Sequence, residues 1–227
     1  MSGRIDRTAA MSDEELAGQL LMLGFTGREP AAAEEAKALK PAGFSLLPRN
    51  LIDAAQTAAQ ARGLQEAAVR AGLAPLFIAA DQEGGAVTAV AEGATVFPGA
   101  MALGAAGSPA LTRRMARAQG REAAAMGINL NYAPVADVNT DPENPIIGVR
   151  SFGDDPAAVG RHVAAAVRGY QESGVLAAAK HFPGHGATRV DSHLGLSILD
   201  TAPAVLERRE LAPFRAAVGA GAGAVMT

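Results

Sequence analysis

Cysteine is absent from the 227 residues. That excludes a disulfide scaffold, a thiolate metal site and a cysteine nucleophile. Tryptophan is absent too, and aromatics reach only 4%. Strong charge of either sign is missing: 20 Lys and Arg against 23 Asp and Glu leave a formal net charge of -3. Nothing electrostatic therefore points to nucleic acid or an anionic membrane surface. Charged residues make up 19% of the chain, too few for a charge-rich disordered protein. No uncharged apolar run reaches the ~18 residues of a membrane span, and the opening MSGRIDRTAAMSDEEL has no apolar core of a secretion signal. The expectation is a cytoplasmic protein with no membrane and no nucleic-acid partner.

What is present is a core. Hydrophobic residues are 49% of the chain, 53 of them alanine, which suits closely packed helices. The length fits one large domain over residues 1–227. Ser12 and Glu15 read as a capping box, with Leu16, Leu20 and Leu23 following at helical spacing. Further helices are expected over Pro30 to Lys40, Leu51 to Ala71, Pro109 to Met126, Pro156 to Ser173 and Pro203 to Ala220. Short apolar runs alternate with them: Gly43 to Leu47, Leu76 to Ala80, Ile128 to Val138, Val175 to His181 and Ala224 to Thr227. Such alternation means βαβ units and a parallel sheet. Polar residues follow several of these strands: Asp81, Asn129 with Asn131 and Asp137, Lys180 with His181. That end of a parallel sheet is the catalytic face of a (β/α)₈ barrel and the crevice edge of an open sheet.

Three clusters could carry chemistry. The densest is Lys180-His181-Phe182-Pro183-Gly184-His185-Gly186-Ala187-Thr188-Arg189-Val190-Asp191-Ser192-His193, with three of the four histidines. Pro183 and the glycines make it a loop. Three readings of it stay open: a zinc site of His181, His185 and His193, although no His-Glu-x-x-His is present and Lys180 would repel a cation; a structural loop; or an acid/base loop in which Asp191 orients His193 for proton transfer. The second cluster, Asp81-Gln82-Glu83-Gly84-Gly85, suits sugar hydroxyls or two-carboxylate glycosidase chemistry. The third, Asn144 to Gly153, holds Arg150 in a Gly/Pro-framed loop suited to bidentate contacts. A phosphate loop, a dinucleotide fingerprint and a Gly-x-Ser-x-Gly elbow are missing. Asp137 to Asp141 opens like a calcium loop, but Pro142 stands where glycine is required.

Taken in this order, Asp81 to Gly85, Ile147 to Gly153 and Lys180 to His193 resemble glycoside hydrolase family 3, in the branch of the bacterial β-N-acetylglucosaminidases. Weaker matches are Glu15 to Phe25 and Asn129 to Val138. The resemblance implies an α/β (β/α)₈ TIM-type barrel, with about the first five βα units in this chain. It implies retaining hydrolysis of terminal β-linked N-acetylglucosamine from cell-wall fragments, without a cofactor or metal. It assigns His193 and Asp191 to the catalytic dyad, and Asp81, Arg150, Lys180 and His181 to sugar binding. Alternatives are a β-glucosidase or glycoside phosphorylase of the family, or a non-catalytic sugar-binding relative.

Two departures qualify these expectations. Ala86-Val87-Thr88-Ala89 stands where the family usually has Arg-Val-x-Arg. The family's nucleophilic aspartate lies on a strand after the Val-Met-Thr run, on which this chain ends at Thr227. The chain thus looks truncated at its C-terminus and is expected to bind sugar weakly, to turn over negligibly and, with open sheet edges, to self-associate.

Overall fold

The computed structural model describes residues 8–28 and 38–227. The expected helix over Pro30 to Lys40 falls mostly outside them. Helix α1 (Asp13–Gly18) begins on the capping box, in which Ser12 Oγ accepts from Glu15 N (3.3 Å) and Glu15 Oε2 accepts from Ser12 N (2.9 Å). It is shorter than the leucine spacing suggests, with Gly18 packed so closely on the Leu39 carbonyl that a β-carbon would lie 2.3 Å from its oxygen. The carbonyls of Gly18 and Leu21 both accept from Ala42 N. This contact ends the helix and releases Met22–Leu23 as strand β1. Leu23 is therefore a strand residue, contrary to the helical expectation.

Strands β2 (Gly43–Ser45), β3 (Phe77–Ala80), β6 (Leu130–Asn131), β7 (Leu176–Lys180) and β8 (Ala224–Met226) fall inside the five expected runs. Together with β1 they form one sheet in the order β1-β2-β3-β6-β7-β8, every pair parallel. The sheet curls into half a barrel, so the TIM-type expectation holds with six strands rather than five. Its concave layer is built from Ala79, Leu130 and Ala178, with Tyr132 and Ala224 packed on them. The run from Ile128 to Val138 is mostly not strand. After Asn131 only Val135 regains a bridge, to Lys180, since Pro134 has no N–H to give the ladder.

Helices α2 (Ala54–Arg70), α4 (Pro109–Ala125) and α5 (Pro156–Gln171) cover the convex face, and α3 (Ala100–Ala105) lies beside them. Asp53, Ser108 and Asp155 cap the three long helices through side-chain oxygens. The α2 stripe Thr57, Ala61, Leu64 and Ala68 is buried, as the helical period requires. The stretch from Pro203 to Ala220 is two helices, α6 (Pro203–Arg208) and α7 (Leu211–Gly219). Pro213 cannot donate to the carbonyl of Arg209, which breaks the ladder there. Among the described residues, no helix is long and apolar enough to cross a membrane.

After β3 the chain makes a hairpin, β4 (Gln82–Gly84) with β5 (Val87–Thr88). Asn131 braces it by accepting from Gln82 N and donating to Gln82 O, at 3.0 and 2.8 Å. The hairpin thus stands on the same rim as the C-terminal ends of β3, β6 and β7.

The α4–α5 contact depends on Gly169, where a β-carbon would lie 2.5 Å from the Arg113 carbonyl. Gly169→Ala is expected to cost about 1–3 kcal/mol by overpacking. The thermal midpoint should fall by several degrees, at about 2–4 °C per kcal/mol for a domain of this size. An unchanged midpoint would show that this crossing has slack.

Candidate active site

Lys180 ends β7 with its side chain only 2% exposed. A bare ammonium there would be costly. It lies instead between two carboxylates, 2.5 Å from Asp81 Oδ1 and 2.6 Å from Glu83 Oε1. Asp81 follows β3 and Glu83 sits in the hairpin, so strand pairing and the Asn131 brace deliver both. Arg150 approaches Glu83 from the third loop and binds it in bidentate fashion, Nε to Oε2 at 3.0 Å and Nη2 to Oε1 at 2.7 Å. Burial would raise the Glu83 carboxyl, but the Arg150 hydrogen bonds and the Lys180 and Arg150 charges hold it below its ordinary value. Glu83 is thus an anion committed to two cations and is not free to donate a proton. This corrects the two-carboxylate reading of the Asp81–Glu83 cluster.

A second buried carboxylate organises the histidines. Asp137, with its side chain fully buried, takes His181 Nδ1 at 2.7 Å and the backbone N–H of His181 and His185, the latter at 2.7 Å. The proton on His181 is thereby assigned to Nδ1, leaving Nε2 to face Arg150 Nη2 at 3.3 Å. His185 packs edge-on against His181, ring centroids 5.9 Å apart, and its Nδ1 meets Thr188 Oγ1. Burial lowers the His185 imidazole, more than the Asp137 charge restores it.

Asp191 and His193 form a pair of their own. Asp191 Oδ1 accepts from His193 N at 2.9 Å and meets His193 Nδ1 at 2.7 Å. His193 is 78% exposed. The backbone and ring hydrogen bonds of His193 draw the Asp191 carboxyl below its ordinary value. The pair stands at the lip of a cleft of about 570 Å³ whose lining includes Asp81, Arg150, Lys180, His181, Tyr132 and His193. The structure thus gathers five of the six expected residues around one opening and ties the sixth, Asp191, to its rim. Ala86 and Ala89 line the same cleft. A roomier cleft of about 740 Å³, between Asp141, Arg189 and Val205, contains none of the six.

Nδ1 of each of the three histidines is engaged by a different partner, Asp137, Thr188 or Asp191. Among the described residues, no group of three or more His, Asp or Glu side chains could hold a metal ion. His181, His185 and His193 are thus not grouped as a three-ligand set among the described residues. Sequence reasoning noted Asp137 only as a strand-end residue and a failed calcium loop. It missed Tyr132, whose hydroxyl meets Ser45 Oγ at 2.6 Å at the cleft. A single tyrosine after a short strand carries no sequence signal of that kind.

Removing Arg150 leaves Glu83 buried with Lys180 alone. Arg150→Ala is expected to destabilise the fold by about 3 kcal/mol, read from denaturant unfolding; a loss under 1 kcal/mol would contradict the network. Acid should destabilise in two stages. His185 and His162 both resist protonation through burial, whereas the unfolded chain takes these protons near the ordinary 6.5. Stability is thus full above that pH and declines as pH falls through it, then declines again below 4.5 as the depressed Glu83 loses its advantage. Thermal midpoints from pH 8 to 4 check this; a midpoint that rose between pH 7.5 and 5.5 would contradict it.

Comparison with known proteins follows the same lines. The profile "Glycosyl hydrolase family 3 N terminal domain" matches residues 12–227. A solved glycoside hydrolase family 3 β-N-acetylglucosaminidase from Paenibacillus sp. str. FPU-7 superposes with a TM-score of 0.93 at 46% identity, over 96% of this chain and 42% of that one. Beta-hexosaminidase A of Pseudoalteromonas piscicida is 36% identical over 96% of this chain and 40% of its own length. The Beta-N-acetylglucosaminidase/beta-glucosidase of Cellulomonas fimi is 37% identical, over 96% and 37%. The chain spans about two fifths of the length of these relatives.

Proposed function

The chain belongs to glycosyl hydrolase family 3, matching its N-terminal domain, and on that premise we propose that residues 1–227 are the N-terminal part of a single barrel domain of a retaining exo-glycosidase. The substrate is terminal β-linked N-acetylglucosamine in cell-wall fragments, and the setting is the cytoplasm. In this reading Asp81, Arg150, Lys180 and His181 hold the terminal sugar, and His193 with Asp191 moves the proton. The observation that carries it is the exposed Asp191–His193 pair at the mouth of a cleft floored by buried, mutually neutralising charges.

The chemistry follows from the geometry. Lys180 and Arg150 cannot relax into water, so their donors are held in place before a ligand arrives and need no reorganisation when it binds. Asp81, 35% exposed against 2% for Lys180, is the carboxylate of the network best able to accept from sugar hydroxyls. Asp191 occupies Nδ1 of His193, so proton exchange with the glycosidic oxygen runs through Nε2. An aspartate partner stabilises the imidazolium and fixes the ring, and acid catalysis of this kind contributes about 10²–10⁴-fold. Retaining chemistry also needs a nucleophile about 5 Å from the acid/base group. Asp81, the carboxylate that lines the cleft, is paired with Lys180, and Glu83 behind it is held by Lys180 and Arg150, so the reading draws the nucleophile from the length of the relatives that this chain does not span.

One observation favours a second reading. Ala86 and Ala89 line the cleft where the resemblance expects arginines, which leaves room and fewer donors for substituents on the sugar. A relative named for both β-N-acetylglucosaminidase and β-glucosidase activity fits a cleft of looser selectivity.

The test is chromogen release from 4-nitrophenyl N-acetyl-β-glucosaminide and from the corresponding glucoside by the full-length protein, with and without phosphate. Release from the first substrate is expected, independent of phosphate, and His193→Ala should lower kcat by about 10²-fold or more. No release from either glycoside would defeat the enzyme reading. Undiminished activity of His193→Ala would defeat the dyad.

A further inference from the structure

The loop that carries Arg150 and the loop that carries the histidines come from different strands, yet one buried side chain bridges them with both ends of its amide. Asn144 is buried, and both ends of its amide are fully used. Nδ2 donates to the carbonyl of His185 at 2.7 Å and to that of Thr188 at 2.9 Å. Oδ1 accepts from the N–H groups of Ile146 and Ile147, at 3.0 and 2.7 Å.

The two halves of the amide do different work. The Oδ1 half sets the turn that leads into Gly148–Arg150, where Arg150 N then donates to the Ile147 carbonyl at 2.8 Å. Arg150 also returns a hydrogen bond from Nη1 to the Ile146 carbonyl. The Nδ2 half grips the histidine loop at its last well-buried stretch. Thr188 is 4% exposed, whereas beyond it Val190, Leu194, Leu196 and Ile198 are 42, 87, 82 and 69% exposed. The neighbouring tie, Arg189 to Asp141 at 2.7 Å, has its arginine 71% exposed and is of the kind that contributes little.

We propose that Asn144 is a positioning residue that locks the base of the Asp191–His193 segment to the turn that presents Arg150. Whatever fixes Arg150 then also fixes the point from which the pair projects. Its use in sugar binding rests on the function proposed above; the coupling itself does not.

Asn144→Asp separates the halves: it keeps an acceptor for Ile146 and Ile147 but sets an oxygen against the carbonyls of His185 and Thr188. Asn144→Ala removes both. Hydrogen exchange of the 227-residue chain, without sugar, reads the result. For Asn144→Asp we expect amides in 185–194 to exchange about tenfold faster or more, with 146–150 close to wild type. For Asn144→Ala both segments should loosen. The strands Phe77–Ala80 and Leu176–Lys180 should stay protected in both variants, which distinguishes loop release from unfolding. The proposal is overturned if 185–194 is unchanged in both variants, or if the core strands lose protection along with it. Adding N-acetylglucosamine supplies a separate arm. It should slow exchange of 148–150 and 191–194 together in the wild type, and only the former in Asn144→Asp. No slowing in the wild type would count against the sugar reading and leave the sugar-free comparison to judge Asn144.

Discussion

A lysine ammonium with 2% of its side chain exposed is the constraint on which the rest of this molecule depends. Desolvating such a charge costs several kcal/mol, recovered only with close, well-aligned counter-charges. Lys180 finds them in Asp81 and Glu83, and the demand propagates outward. Glu83 must be held by a hairpin, the hairpin by Asn131, and its remaining charge by Arg150. Arg150 in turn needs a turn stiff enough to present a guanidinium side-on to one carboxylate. The small side chains of the parallel strands, Ala79, Ala80 and Ala177 to Ala179, let the rim draw in closely enough for these contacts.

Asp137 does for the histidines what Glu83 does for the cations. One carboxylate accepts from two backbone amides and one ring nitrogen, so it fixes the conformation of the His181–His185 segment and its tautomer together. Two cations then face three carboxylates in one cluster, buried except at Asp81. That arrangement adds little to folding stability, since a buried pair roughly cancels its own desolvation. What it gains is a rigid set of donors and acceptors pointing into one cleft. The Asp191–His193 pair stands outside this rigidity, on a stretch with few buried side chains.

Much of this was legible before the structure. The strand and helix alternation, the Ser12–Glu15 capping box and the clustering of chemistry after strand ends all follow from local periodicity and turn chemistry. What escaped depended on contacts distant in sequence. Met22–Leu23 reads as helix until the Gly18 contact with the Leu39 carbonyl is known. Glu83 looks like a candidate acid until Arg150, far along the chain, is seen to hold it. Asp137 looks like any strand-end residue until His181 and His185 fold back onto it. Asn144 sits in a Gly/Pro-framed loop whose sequence hints at a turn but not at the second loop it grips.

The central claim is that the buried charge network forms a preorganised sugar subsite. Titrating N-acetylglucosamine into the isotope-labelled 227-residue chain tests this most directly, following amide and side-chain resonances. The account predicts saturable shifts concentrated at Asp81, Arg150, Lys180, His181 and His193. Shifts confined to the larger cleft between Asp141, Arg189 and Val205, or no saturable shifts at millimolar sugar, would contradict it.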